Sequence, residues 1–314
     1  MSRSLDSRFF ARFGAWSAPL CLLPVVWILC FPQSYEKRYL VIHSDDAGFC
    51  AATNAATVQA MENGSVSSAS IMVPLPGFPE IAAYAVAHPE KDFGIHLTLT
   101  SETPYFRWGP VLKDRVPTLV QKDGSFWRTS EDVAAHADAR EVGMELEAQI
   151  QMALAKGIRI THLDHHMWVM LQKPEFLKVY LELGLKFGLP VRLHRQLTVE
   201  ETGELLRTPE EYQAIIQSAT ARNNPLFDVI ETNNYDVAPD QKRNYFLNAL
   251  RGLKPGNSEF CIHCSEMREG ALLPPHAARR QADLTVFTSD EIQDEIQRLG
   301  IRVVSWDDLQ RLEK

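Results

Sequence analysis

Cysteine is scarce in this sequence. The 314 residues contain five cysteines, and two of them, Cys21 and Cys30, fall near the N-terminus. The other three, Cys50, Cys261 and Cys264, are an odd number, which excludes a fold held together by a framework of disulfides. Cys261 and Cys264 are close enough in sequence to form one small bridge in an oxidising compartment, or to remain two buried thiols.

A surplus of basic residues is also lacking. Lys and Arg number 32 against 40 Asp and Glu, so the formal net charge is -8. Such a chain has no general electrostatic attraction for nucleic acid or anionic lipid, and no nucleic-acid partner is expected. A neutral or small substrate fits this charge better. The length and a hydrophobic fraction of 45% are enough for a substantial buried core.

The N-terminal part of the chain combines basic residues with an apolar stretch. Arg3, Arg8 and Arg12 precede an apolar stretch over about 15–31, a pattern typical of an export signal or an N-terminal membrane anchor. The stretch is near the ~17-residue lower limit for a membrane span, and a mispredicted start or a buried helix is the alternative. We expect residues 1–33 to be a signal peptide or anchor, 34–314 to form the folded domain, and the protein to be exported (periplasmic or extracellular) or tethered to the membrane.

Strand-like and helix-like segments alternate through the rest of the chain, without internal repeats or low-complexity segments. Strands are predicted over 40–43, 68–73, 93–99, 158–163, 189–193, 227–231, 259–262 and 302–305. Helices are predicted over 52–62, 78–87, 130–156, 174–187, 209–221, 240–253 and 289–299, the first ending in a left-handed Gly64 and the fourth at Gly188. This alternation predicts an α/β fold with a parallel sheet, and about eight units favour a barrel over an open sheet.

Two adjacent carboxylates end the first predicted strand, in Ser44-Asp45-Asp46-Ala47-Gly48. Consecutive side chains point in different directions, so one carboxylate could bind a metal while the other handles a proton. The alternative is a solvated turn that caps the following helix.

Histidines cluster at the ends of other predicted strands. His96 lies among apolar neighbours, where a buried core histidine is the common outcome. The stretch 161–167 holds three histidines and Asp164, and alternation places His162, Asp164 and His166 on one side and His165 on the other. Two imidazoles and a carboxylate suit Zn²⁺ or another divalent ion.

Two further features bear on chemistry. His263 ends the strand predicted over 259–262 and could act as an acid for a leaving group, or could hydrogen-bond within the loop that follows. The long aperiodic stretch 101–128 is read as a functional loop over the site. Its aromatic residues Tyr105, Phe106 and Trp108 offer flat faces for sugar rings, or form a hydrophobic lid or plug.

Three segments together resemble one family. Ser44-Asp45-Asp46-Ala47-Gly48, the stretch 94–100 around His96 and the stretch 162–166 occur in the order and context of the YdjC-like carbohydrate deacetylases. The resemblance extends from about residue 39 to the C-terminus. It implies an irregular, TIM-like (β/α) barrel related to other polysaccharide deacetylases.

The resemblance also implies roles for individual residues. Asp45 resembles the general base, while Asp46, His96 and His166 resemble the ligands of one divalent ion, Mg²⁺ or Zn²⁺. His263 resembles the histidine of a late His-Pro element, although Cys264 replaces the proline here. We also expect substrate contacts from four residues around the site: Tyr105, Trp108, Asp164 and His165.

The activity implied is metal-assisted hydrolysis of the N-acetyl group of an amino sugar in an oligosaccharide or glycoconjugate. The partner would be an N-acetylated sugar, and a homo-oligomer is among the open oligomeric states. Two alternatives keep the same scaffold: a non-catalytic barrel that binds metal or sugar, and a metal-dependent isomerase or aldolase.

Overall fold

A sheet of parallel strands forms the centre of the molecule. The computed structural model describes residues 37–196, 209–220 and 222–312. The strands in these ranges are β1 (Arg38–Ala47), β2 (Ser68–Ile71), β3 (Phe93–Leu97), β4 (Ile160–His165), β5 (Val229–Glu231), β6 (Gly256–Ile262) and β7 (Arg302–Val303). They pair in the order β4-β3-β2-β1-β6-β5, and β7 pairs with the beginning of β1. Because all these pairs are parallel, the carboxyl ends of the strands share one rim.

Isolated bridges close the sheet into a ring. Leu163 of β4 pairs with Val191, and His194 pairs with Phe227 just before β5. The strand predicted over 189–193 contributes only these bridges because the Asn224 side chain bonds both the N–H and the carbonyl of Val191. A side chain thus occupies the place of a neighbouring strand. The predicted α/β class and the irregular (β/α) barrel are confirmed.

Helices connect the strands, as expected for parallel pairing. Those in the described ranges are α1 (Ala51–Asn63), α2 (Phe78–Ala87), α3 (Ser130–His136), α4 (Ala139–Ala155), α5 (Pro174–Phe187), α6 (Pro209–Thr220), α7 (Lys242–Gly252), α8 (Ala277–Phe287), α9 (Asp290–Arg298) and α10 (Trp306–Leu312). The single helix predicted over 130–156 is two helices, because Asp138 accepts hydrogen bonds from the first N–H groups of α4 and starts a new helix. The helices α8 and α10 were not predicted.

Gly64, which follows α1, does not have the predicted left-handed conformation. Its φ is -124° and its ψ is -158°, so the backbone is extended. The chain passes close to the end of α8 here: Ser65 donates its N–H to the Phe287 carbonyl at 2.8 Å. A Cβ on Gly64 would lie 2.4 Å from that same oxygen. Close approach, and not a positive φ, therefore requires glycine. At Gly188, by contrast, φ is +65° and the predicted left-handed end of α5 is confirmed.

The long stretch 101–128 folds as two short 3₁₀ turns, Lys113–Arg115 and Pro117–Leu119, and two isolated bridges. Carboxylates of α4 hold it, because Glu145 accepts the N–H groups of Val111 and Leu112. Its first residues reach the rim of the barrel beside His166, as described below.

Two sequence predictions concern cysteines and the N-terminus. Cys50, Cys261 and Cys264 are all free and buried, so the bridge between the last two is excluded. The predicted signal or anchor over residues 1–33 lies outside the described residues. Within the ranges that the structure describes, every helix is too short or too polar to cross a membrane.

Candidate metal centre and active site

The carboxyl rim of the barrel carries most of the predicted site residues. They are Asp45 and Asp46 in β1, His96 in β3, His165 in β4, His166 directly after β4 and His263 directly after β6. In barrels of parallel strands, this rim is where catalytic residues are mounted. Residues far apart in the sequence therefore meet in one place.

A break in the strand pairing separates the two aspartates. The pairing of β1 with β2 shifts register between Ser44 and Ala47. Asp46 lies within this shift with a φ of +66°, a left-handed conformation that Asp tolerates better than most residues. A bulge of this kind redirects side chains. As predicted, Asp45 and Asp46 have different neighbours.

Asp46, His96 and His166 converge on one point. The Oδ1 atom of Asp46 lies 3.4 Å from Nε2 of His96 and 3.3 Å from Nδ1 of His166, and the two nitrogens are 3.3 Å apart. All three residues are buried, and they form one of the clusters able to hold a metal ion. Ligands that bind Zn²⁺ at about 2.0–2.1 Å with tetrahedral angles lie about 3.3–3.4 Å apart. The observed triangle has these dimensions.

The far nitrogen of each imidazole contacts a carboxylate. Nδ1 of His96 lies 3.0 Å from Oδ1 of Asp164, and Nε2 of His166 lies 3.2 Å from Oε1 of Glu102. Metal-binding histidines usually donate their other ring N–H to such a group, which fixes the ring and makes the ligand more basic. Burial lowers the pKa of His166, but Glu102 and Asp46 raise it to about 9.

Asp46 presents one oxygen to this triangle and the other to a cation. Its Oδ2 lies 2.7 Å from Nη1 of Arg280 in α8. Its Oδ1 is buried and, among the described residues, has no hydrogen bond of normal geometry. An unsatisfied buried carboxylate oxygen is costly in a folded protein. A cation bound between Oδ1 and the two imidazoles would satisfy it, so these residues fit a divalent ion.

Asp45 lies beside this cluster and is paired with a buried arginine. Its Oδ1 is 3.1 Å from Nη2 of Arg192, which also pairs with Asp164 at 3.1 Å and with Glu259 at 2.8 Å. Burial tends to raise the pKa of Asp45, but the charges of Arg192 and His96 hold it well below its usual range. The carboxylate is therefore ionised at neutral pH.

His263 borders the same rim, because its neighbour Ile262 pairs with Ser44 of β1. Its ring is half-buried, lies edge-on to the Tyr235 ring, and has a buried Nδ1 without a hydrogen bond among the described residues. Burial and the charge of Arg280 lower the pKa of His263 to about 3, so the imidazole is neutral at pH 7. Its role as an acid stays a prediction.

The four residues predicted to contact substrate lie in unlike surroundings. Asp164 is fully buried behind His96, and His165 is buried between Trp168 and Tyr180. Trp108 is also buried and packs edge-on against Phe49, as a plug would. All three side chains are buried, and their contact with a substrate stays a prediction. Tyr105 is 61% exposed, and its hydroxyl donates to the Leu273 carbonyl at 2.9 Å.

Sequence reasoning missed five polar residues of this region: His43, Glu102, Arg192, Glu259 and Arg280. Two of them had a signal in the sequence: His43 directly follows the apolar run 40–42, and Arg192 interrupts the strand-like run Val191–Leu193. An ionisable residue in such a run is buried at a cost and needs partners. Glu102 lies in an aperiodic stretch and Arg280 in an unpredicted helix, so neither had a local signal.

Comparison with known proteins identifies the family. The model of the family described as YdjC-like protein matches residues 39–298. A carbohydrate deacetylase of Thermoanaerobacter pseudethanolicus is 25% identical over 81% of this chain and 92% of the relative. A carbohydrate deacetylase of Thermus thermophilus is 32% identical over 82% of this chain and 89% of the relative.

A solved structure has the same fold. The crystal structure of a proposed cellobiose-phosphate cleavage protein from Enterococcus faecalis superposes with a TM-score of 0.72, at 24% identity, over 87% of this chain and 99% of that one. The family match covers most of the described barrel, including all three segments that suggested it. This chain belongs to the YdjC-like protein family.

Proposed function

We propose that this chain is a carbohydrate deacetylase that hydrolyses the N-acetyl group of an amino sugar in an oligosaccharide or glycoconjugate. The observation that carries the proposal is the convergence of Asp46, His96 and His166 on one point with the ionised Asp45 beside them. The names of the Thermus and Thermoanaerobacter relatives support the same activity.

One divalent ion would be held by Asp46, His96 and His166. Two imidazoles and one carboxylate suit Zn²⁺ better than Mg²⁺, which prefers an octahedron of oxygen ligands. When bound, such an ion lowers the pKa of a coordinated water and polarises the acetyl carbonyl. Asp164 and Glu102 keep the two imidazoles oriented toward it.

Asp45 accepts a proton from the attacking water. The water oxygen bonds to the acetyl carbon, the carbon–nitrogen bond breaks, and the amine leaves with one added proton, giving acetate and a free amino sugar. A positioned base of this kind contributes about 10²–10⁴-fold to the rate. Arg192 keeps Asp45 charged until it takes the proton.

His263 is the candidate that donates a proton to the amine. It lies at the end of β6, next to β1, and its Nδ1 has no hydrogen-bond partner in the described part of the chain. Burial and the charge of Arg280 lower its pKa to about 3, so the resting imidazole is neutral. It would therefore gain a proton before it can donate one to the amine, and the proton that Asp45 takes from the water replaces the proton that His263 gives away.

A non-catalytic binding barrel has no need of a proton acceptor beside its ion. Asp45 is that acceptor: it is buried, and one of its oxygens lies within 4.8 Å of a nitrogen of His96. This arrangement favours the enzyme over the binding module.

Acetate release from N-acetylated chito-oligosaccharides tests the proposal. The purified chain should release acetate, lose this activity on chelation, and regain it with one equivalent of Zn²⁺. Release that survives complete removal of metal would contradict the metal dependence. A metal-loaded protein that releases no acetate from a panel of N-acetylated glycans would contradict the activity.

A further inference from the structure

The barrel interior beneath the metal ligands holds an imidazole that the proposed reaction does not use. His43 is fully buried in β1. Its Nε2 lies 3.2 Å from Oδ1 of Asp45, 3.2 Å from Oδ2 of Asp164 and 3.1 Å from Oγ of Ser70. Because side chains alternate along a strand, His43 and Asp45 face the same side of β1.

Each nitrogen of His43 faces only acceptors. Nδ1 lies 2.9 Å from Oγ of Ser68, whose hydroxyl proton is donated to Asp92 at 2.7 Å. The hydroxyl of Ser70 near Nε2 is likewise donated, to Asp164 at 2.8 Å. With both hydroxyl protons committed, the serine oxygens can only accept. Both ring nitrogens therefore donate, and the ring is an imidazolium cation.

The positive charge of His43 helps to balance the buried carboxylates around Asp45. Asp45, Asp164 and Glu259 surround Arg192, which is one positive charge for three buried carboxylates. Buried charges need opposite charges or hydrogen bonds. His43 supplies the second positive charge on the side of the cluster where Asp45 lies.

We propose that His43 is a positioning residue for Asp45, holding the carboxylate by a hydrogen bond from Nε2–H to Oδ1. Arg192 contacts the same oxygen, and two donors on one oxygen fix the rotation of the carboxylate, so that Oδ2 is the oxygen that accepts the proton. The inference rests on the proposed function, because it takes Asp45 to be the base. Without His43, Arg192 is the one remaining donor on this oxygen in the described contacts, and a single donor leaves the carboxylate able to turn toward His96.

Three variants of the metal-loaded full-length protein test this role. In His43→Gln, the amide nitrogen stands near the place of Nε2 and keeps a donor for Asp45. In His43→Asn, the shorter side chain reaches only the place of Nδ1 and loses that donor. His162→Asn is the matched control, because the buried ring of His162 packs edge-on against His43 while its polar contacts are with Thr161 and Asp92, so it tests loss of packing beside His43 without loss of the donor to Asp45.

The expected result is a split between the two His43 variants. In His43→Asn, kcat falls about 10- to 100-fold with little change in KM, because a displaced base affects mainly the transition state. His43→Gln recovers most of the lost kcat. His162→Asn loses stability but keeps kcat within about threefold of the wild type, since it leaves the donor to Asp45 in place.

Other outcomes overturn the inference. They are a wild-type kcat in His43→Asn, equal losses in the Asn and Gln variants, or an equal loss in His162→Asn. If the wild-type protein itself releases no acetate from any N-acetylated glycan, the proposed function fails separately. Crystal structures of the wild type and His43→Asn then decide: a rotated Asp45 carboxylate supports positioning by His43, and an unmoved one overturns it.

Discussion

Replacing Asp45 by Asn separates the base from the metal ligands. The amide has nearly the same shape as the carboxylate but cannot accept the proton of the attacking water. Arg192 retains its pairs with Asp164 and Glu259, so no buried cation is left without a partner. What is lost is the difference between a charged and a neutral hydrogen bond, about 1–2 kcal/mol in the free energy of unfolding.

The effect on activity should be much larger than the effect on stability. Loss of the base lowers kcat by roughly 10²-fold or more with little change in KM, while one metal ion per chain is retained. Acetate release, metal analysis and urea unfolding of Asp45→Asn measure the three quantities. The matched control is Asp294→Asn, the same change at an exposed position of α9, which should alter none of them.

Two results would refute this reasoning. Loss of the ion in Asp45→Asn would make Asp45 a ligand, and unchanged turnover on a substrate that the wild type hydrolyses would remove it from the mechanism.

Three further predictions concern a metal-orienting carboxylate, pH and export. Glu102→Gln weakens metal binding about 10- to 100-fold, because Glu102 orients His166; competition with a chelator measures it, and an unchanged affinity contradicts it. Burial lowers the pKa of His43, but Asp164 and Asp45 raise it to about 9, above the ordinary 6.5. The stabilisation that protonated His43 provides is therefore complete below about pH 6.5 and is lost as the pH rises through 9. Between pH 6 and 10 the free energy of unfolding of the metal-free wild type should fall by about 3 kcal/mol more than that of His43→Gln. Parallel pH curves for the two proteins contradict this. Fractionation should find the full-length chain outside the cytoplasm and a chain without residues 1–33 inside it; cytoplasmic recovery of the intact chain contradicts export.

The sequence predicted the parts of the fold and site that depend on local pattern. β1 is an apolar run that ends at two carboxylates, and such a run with its breaker can be read without knowing its neighbours. Asp46, His96 and His166 were assigned as ligands through the resemblance of their three segments to the YdjC-like family. The parallel arrangement then brings them together, as observed.

The remainder depends on contacts between distant residues. Arg280 pairs with Asp46 across most of the chain, and its helix α8 begins among charged and small residues with little apolar period. Trp108 is buried because Phe49 and Phe106 pack against it, not because of its immediate neighbours. Gly64 has no room for a side chain, because the end of α8 passes beside it. Such positions are decided by packing, which a single sequence does not display.

The most direct test of the metal centre is an anomalous-diffraction map of the Zn²⁺-loaded crystal. One ion should lie between Oδ1 of Asp46, Nε2 of His96 and Nδ1 of His166, at about 2.0–2.2 Å from each, with Asp45 outside bonding distance. An ion held by Asp45, or bound without the two histidines, would contradict the proposed centre.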